Sequence, residues 1–274
     1  MTINCKGKLI DLSLPKVMGI LNITPDSFYD GGIHKNETAI LTHVELMLNQ
    51  GATFIDMGAY SSKPNADFVN EDTELKRILP IVNAVLKEFP DILISIDTFR
   101  SEVAKQCVEA GAALINDISA GKLDKNMLQT VANLRVPYIM MHMKGSPRTM
   151  QQHTDYDDLT KDILFYFSKR MAEAKALGIV DIIVDPGFGF AKTLEQNYEL
   201  LNHLELFKMI EKPILVGISR KSMIYKTLET TANEALNGTT VLHTIALQKG
   251  ASILRVHDVK EAMETIKLIE SLNA

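Results

Sequence analysis

The chain has no tryptophan, two cysteines and only 6% aromatic residues. Cys5 and Cys107 stand far apart with no paired spacing, so neither a disulfide framework nor a zinc cluster is implied. Long hydrophobic runs are missing as well, and the apolar stretches fall far below the ~20 residues that cross a bilayer. The apolar piece Val17–Ile23 is interrupted by Asn22 and shows no small-residue cleavage signature, so a soluble, cytoplasmic chain is expected. There is no basic excess: 29 Lys and Arg against 34 Asp and Glu leave a formal net charge of −5 and a pI of about 5.8. That balance offers no electrostatic case for wrapping nucleic acid. It remains compatible with a small anionic substrate held by a few local cations.

What is present has the composition of a globular protein. Of 274 residues, 46% are hydrophobic and 23% charged, which excludes a disordered chain and permits a large core. The 13 methionines read as core filling. Eight short apolar runs recur, at 16–23, 53–59, 92–98, 113–118, 137–142, 182–186, 213–219 and 252–257. They are continuous rather than alternating, as parallel strands buried on both faces require. Between them lie helical spacings, such as Leu75, Ile78, Val82 and Val85, or Val103, Ala104, Cys107 and Val108. Gly51, Gly111, Gly178 and Gly250 each follow such a pattern and precede a strand, where a helix-ending glycine belongs. Eight units of about 34 residues suit a (β/α)8 barrel, with a doubly wound open sheet as the competing architecture. One domain is expected, with residues 1–15 as an N-terminal extension, read as a hairpin closing the barrel bottom, and 16–274 as the barrel.

The C-terminal ends of the eight runs all carry polar residues: Asn22, Asp56, Asp97, Asn116-Asp117, His142, Asp185, Ser219 and Arg255-His257. A single aspartate there is more often a cap or loop anchor, as Asp72 and Asp124 are read to be at helix starts. Eight polar ends together make one mouth of the barrel polar, which is where such barrels place their sites. Asp97, Asn116 and Asp185 suit a planar heterocycle with several N–H donors. Lys221, Arg255 and His257 suit phosphate oxygens, and Asn22 could supply an oxygen to Mg²⁺. The segment 185–190, DPGFGF, lacks dinucleotide-fingerprint spacing and reads as a tight loop presenting Phe188 and Phe190, with Phe190 favoured as pocket-lining. Met140, Met141 and Met143 read as barrel core, with the alternative that one lies under a flat ring.

The motifs GILNITPDSFYDGG (19–32), SIDTFR (95–100), INDI (115–118), MHMKGSPRTMQ (141–151), DPGFGFAKT (185–193), GISRKS (217–222) and RVHDV (255–259) resemble those of bacterial dihydropteroate synthases. The resemblance covers about residues 15–272. It implies a (β/α)8 barrel and a transferase of folate biosynthesis that is a sulfonamide target. The implied reaction condenses 6-hydroxymethyl-7,8-dihydropterin pyrophosphate with p-aminobenzoate, giving 7,8-dihydropteroate and pyrophosphate. On matched positions, Asp97, Asn116, Asp185 and Lys221 would bind the pterin, joined by Met141. Asn22, Lys63, Arg255 and His257 would hold the pyrophosphate, with Mg²⁺ on Asn22. Ser62, Pro64, Phe190 and Ser222 would form the p-aminobenzoate pocket. Catalysis would fall to Asp97, Asp185, Lys221, Arg255 and His257.

One segment departs from the family pattern. Ser61-Ser62-Lys63-Pro64 stands where Ser-Thr-Arg-Pro is usual, exchanging a planar fork for a point charge. A homodimer is expected, with Ala232–Gln248 as a source of apolar interface. Two other readings compete: a barrel that transfers methyl groups from methyltetrahydrofolate, and a non-catalytic pterin-binding barrel. Neither needs the anion-binding set Lys221, Arg255 and His257.

Overall fold

The structure, a computed structural model, describes residues 1–23, 33–60 and 69–273. Strands β1 (Thr2–Cys5) and β2 (Lys8–Asp11) pair antiparallel through the two-residue turn Lys6-Gly7, both of positive φ, the turn that matches strand twist. Eight parallel strands follow: β3 (Lys16–Asn22), β4 (Phe54–Gly58), β5 (Ile94–Asp97), β6 (Leu114–Asp117), β7 (Tyr138–Met141), β8 (Ile182–Asp185), β9 (Leu215–Val216) and β10 (Ile253–Val256). They pair in the order β8-β7-β6-β5-β4-β3-β10-β9. A parallel bridge between Val184 and Ile214 joins the two ends of that order, closing the barrel. The Val184 N–H donates to Pro213 O at 3.0 Å across the same seam.

Each expected apolar run contains one barrel strand, though the runs are longer than the ladders. The seventh, 213–219, pairs only over Leu215–Val216, because Gly217, Ile218 and Ser219 leave the ladder to carry Arg220 and Lys221. Helices α1 (Ile33–Asn49), α2 (Glu71–Glu88), α3 (Ser101–Glu109), α4 (Met127–Leu134), α5 (Leu159–Ala176), α6 (Leu194–Asn202), α7 (Ser222–Thr227), α8 (Leu236–Gln248) and α9 (Val259–Asn273) surround the sheet. Their apolar stripes face it: Ile78, Val82 and Val85 of α2, and Val103, Ala104 and Cys107 of α3, are buried. The four helix-ending glycines all have positive φ. The cap expectations need correction. Asn70, not Asp72, caps α2, its side chain accepting from Thr73 N–H at 2.8 Å. Asp124 accepts from Ser101 N–H at 2.8 Å, so it serves the start of neighbouring α3 as well as Asn126 N–H at 2.9 Å in its own turn.

Two apolar layers result. One lies between sheet and helices. The other fills the barrel's N-terminal end, where Met18, Phe54, Leu114, Ile139, Ile183, Leu215 and Ile253 meet Ile3, Cys5, Ile10 and Leu12 of the hairpin and its exit. The hairpin thus packs across the bottom of the barrel. Among the described residues no helix is long and apolar enough to cross a membrane.

Candidate active site

The opposite mouth is polar because strand ends that turn inward carry charge there. Asp56 lies mid-strand in β4 and is fully buried. One of its oxygens, Oδ2, accepts from Arg255 Nε at 2.5 Å and from Asn116 Nδ2 at 3.0 Å. Arg255, on β10, donates through Nη2 to Asp97 Oδ2 at 2.7 Å. Asp97 and Asn116 face each other in register across β5 and β6. The guanidinium therefore spans two carboxylates on adjacent strands, a planar fork used at both ends. Burial pushes the Asp97 carboxyl up to about 7, opposed by the Arg255 charge and reinforced by Asp56. The Arg255 guanidinium is held charged by its two carboxylate neighbours despite burial. Asp56 Oδ1 and Ser95 Oγ, on register-paired residues, are buried and have no protein hydrogen-bond partner among the described residues.

Asp117, next to Asn116 but on the other face of β6, has a different task. It accepts from Tyr138 OH at 2.6 Å and from the N–H groups of Ser119 and Gly121 at 2.7 Å each, ordering the turn that follows the strand. Alternation along one strand separates the site residue from the scaffold residue.

The second half of the mouth is built on the loop after β8. Asp185 is buried, and its Oδ1 accepts from Gly187 N–H at 2.8 Å. Burial raises its carboxyl, offset first by the Lys221 charge. Gly187 has φ +75, and a Cβ there would lie 2.1 Å from His142 O, so only glycine fits. Lys221 donates to Phe188 O at 2.5 Å, and its ammonium sits 4.8 Å from the Phe190 ring centroid. Burial lowers this lysine to about 8. Phe188 is fully buried in the layer beneath the helices, whereas Phe190 is half-buried beside Lys221. Met141 is buried in a small cluster with Ile118, Met143, Met150 and Ala191, with Phe190 packed on it.

His257 is exposed, and its Nδ1 lies 3.0 Å from Ser219 Oγ, which also accepts from the His257 N–H at 3.1 Å. Arg220 is turned away from the mouth: Nε and Nη2 grip Asp258 at 2.8 Å each. Ser222 opens α7, half-buried, and Asn22 ends β3 exposed. Ser62, Lys63 and Pro64 lie outside the described residues.

Two points differ from the sequence reading. Carboxylate-amide and cationic groups were expected to form separate subsites, yet Arg255 is ion-paired with Asp56 and Asp97, so the sets interlock. Two residues were not singled out for roles. Asp56 is the hub, and its signal was a charge inside the apolar run TFIDMGA. Lys192, directly after GFGFA, is buried with its ammonium inside the β8 loop.

A closed (β/α)8 barrel with one plugged end and one charged end is the class of fold that binds a small ligand at the mouth formed by its strand C-termini. The chain belongs to the pterin binding enzyme family, whose pattern matches residues 18–257. It is 42% identical over 273 residues to a dihydropteroate synthase of Escherichia coli (strain K12), covering 99% of this chain and 96% of that one. A solved Yersinia pestis dihydropteroate synthase in a sulfonamide drug complex superposes with a TM-score of 0.93 at 42% identity, covering 100% of this chain and 99% of the other. A Xanthomonas albilineans dihydropteroate synthase solved with 4-aminobenzoic acid gives a TM-score of 0.92 at 35% identity, covering 100% and 98%.

Proposed function

We propose that this chain is a dihydropteroate synthase. It joins the methylene carbon of 6-hydroxymethyl-7,8-dihydropterin pyrophosphate to the amine of p-aminobenzoate. The C–O bond to pyrophosphate breaks, a C–N bond forms, and the amine proton passes to solvent. The observation that carries this reading is the interlocked mouth, where Asp97, Asn116 and Asp185 stand within one network of Arg255 and Lys221 charges. It is supported by near full-length similarity to dihydropteroate synthases.

Asp185 and Asp97 accept from the N–H donors of the pterin, and Asn116, oriented by its bond to Asp56, contributes a further ring contact. Lys221 shifts from the Phe188 carbonyl toward a ring acceptor. Met141 packs against the ring from the apolar side. Arg255 and His257, with Lys63 from the second loop, take the negative charge that builds on the departing pyrophosphate. The two carboxylates favour the methylene cation left behind, which the neutral aryl amine attacks without a dedicated base. Phe190, Ser222, Ser62 and Pro64 shape the p-aminobenzoate side. Residues 16–274 form the catalytic barrel.

Among the described residues no three His, Cys, Asp or Glu side chains stand together to hold a metal by themselves. The single exposed oxygen of Asn22 fits Mg²⁺, which keeps its waters and is held largely by substrate phosphates. When bound, Mg²⁺ supplies charge neutralisation to the leaving group. A homodimer is proposed through the exposed apolar positions of α8 and its surroundings, Leu228 and Val241.

Pyrophosphate release assayed with and without p-aminobenzoate tests the reading. Release that requires the aryl amine supports it. Pterin binding with no release points to a non-catalytic barrel, and methyl transfer from methyltetrahydrofolate points to the methyltransferase alternative.

A further inference from the structure

Lys192 has no place in the reaction above, yet it is 4% exposed and its ammonium lies inside the protein. Its three donors meet three acceptors: Gly187 O at 2.9 Å, Phe190 O at 3.0 Å and His142 Nδ1 at 3.1 Å. Burial lowers Lys192 to about 7, opposed by the Asp185 charge; as an ammonium it donates to all three acceptors, with His142 neutral and its proton on Nε2. Burial, followed by the Lys192 charge, holds His142 well below its ordinary value, in keeping with the neutral form.

The loop between Asp185 and Lys192 therefore turns its carbonyls onto two lysines. Gly187 O and Phe190 O face Lys192, and Phe188 O faces Lys221. Its amides are also engaged: Gly187 N–H on Asp185, Gly189 N–H on Asn197 Oδ1 at 2.6 Å, and Phe190 N–H on Gly187 O at 3.1 Å. Taking an ammonium out of water is costly, and an apolar side chain would fill the slot more cheaply. What an apolar side chain lacks is donors for the loop carbonyls. We propose that Lys192 is a positioning residue that fixes the Gly187–Phe190 backbone, and through it the Phe190 ring and the Phe188 carbonyl beside Lys221, on the p-aminobenzoate side of the site. This inference rests on the functional reading above.

Lys192→Met keeps length and removes the donors. The expected result is a KM for p-aminobenzoate raised about 10-fold or more, with the KM for the pterin ester changed less than about 3-fold, the pattern of misplaced contacts on one substrate. Amide hydrogen exchange at Gly187, Gly189 and Phe190 should quicken about 10-fold, with helices far from the loop unchanged. If Lys192→Met does not fold, His142→Phe, which removes one of the three acceptors and keeps a ring, should show the same changes in smaller measure. Wild-type KM values for both substrates together with wild-type exchange over the loop overturn the proposal. So does an equal rise in both KM values, which marks a purely structural lysine. If the wild-type protein releases no pyrophosphate, the functional reading has failed, and loop exchange alone still decides whether Lys192 holds this backbone.

Discussion

The two ends of the barrel are made by the same eight strands and have opposite chemistry. At the N-terminal end, Met18, Phe54, Leu114, Ile139 and Ile253 meet an apolar hairpin in one buried hydrophobic cluster. At the C-terminal end, two to four residues further along, strands of the same sheet offer Asp56, Asp97, Asn116, Asp185 and Arg255. Burying Ile3 or Phe54 stabilises the fold by removing apolar surface from water. Burying Asp56 and Asp97 does the reverse unless Arg255 compensates, which leaves a mouth poised to take partners from a ligand. One end is thus spent on stability and the other on a preorganised charge arrangement.

That division predicts different consequences for the two ends. Arg255→Ala should be the most damaging change. It removes the cation shared by Asp56 and Asp97 as well as the proposed contact to the leaving group, so kcat/KM should fall about 1000-fold, the upper range for losing an electrostatic stabiliser. Because the two carboxylates are left facing each other, pterin affinity measured by calorimetry should fall too; unchanged pterin affinity would show that the subsites are independent.

Ile3→Ala, in the plug, should cost about 3 kcal/mol of stability, the scale of a buried large-to-small change. Denaturant unfolding should report the loss while both KM values stay at wild type. A KM shift in this variant would mean that the bottom of the barrel is coupled to the mouth.

Asp56→Asn keeps the shape of the hub but not its charge. Arg255 is then held by Asp97 alone, and Asn116 loses a charged partner. Turnover should drop about 30-fold, near 2 kcal/mol, as expected for hydrogen bonds to a charged group. Steady-state kinetics decide between this role and a merely space-filling aspartate, for which the rate would be unchanged.

The smallest effect is the pH dependence of the mouth. Asp97 is pushed up to about 7, so its ionised, N–H-accepting form grows as pH rises through that value. Lys221 is lowered to about 8, so its cationic form is lost as pH rises further. The kcat/KM profile should be a narrow bell with its acid limb near the first value and its alkaline limb near the second. Asp97→Asn should remove the acid limb; persistence of that limb assigns it to another group.

The sequence by itself determined the barrel and the location of its site. Eight continuous apolar runs with helical spacing between them leave few ways to bury both faces of each strand, and the polar residue ending each run put the charged groups on one mouth. Local signals also sufficed for the helix-ending glycines. What only the tertiary structure decided is who pairs with whom. Asp56 and Arg255 are 199 residues apart in the chain and meet because β4 and β10 flank β3. The same closure brings Asn116 of β6 to Asp56 of β4, two strands away. Lys192 could be read as an ordinary loop lysine until three acceptors from two segments were seen around its ammonium. Periodicity reports which face a residue occupies, because that is a local property of the backbone. Ion pairing across the barrel depends on closure and register, which no local pattern records.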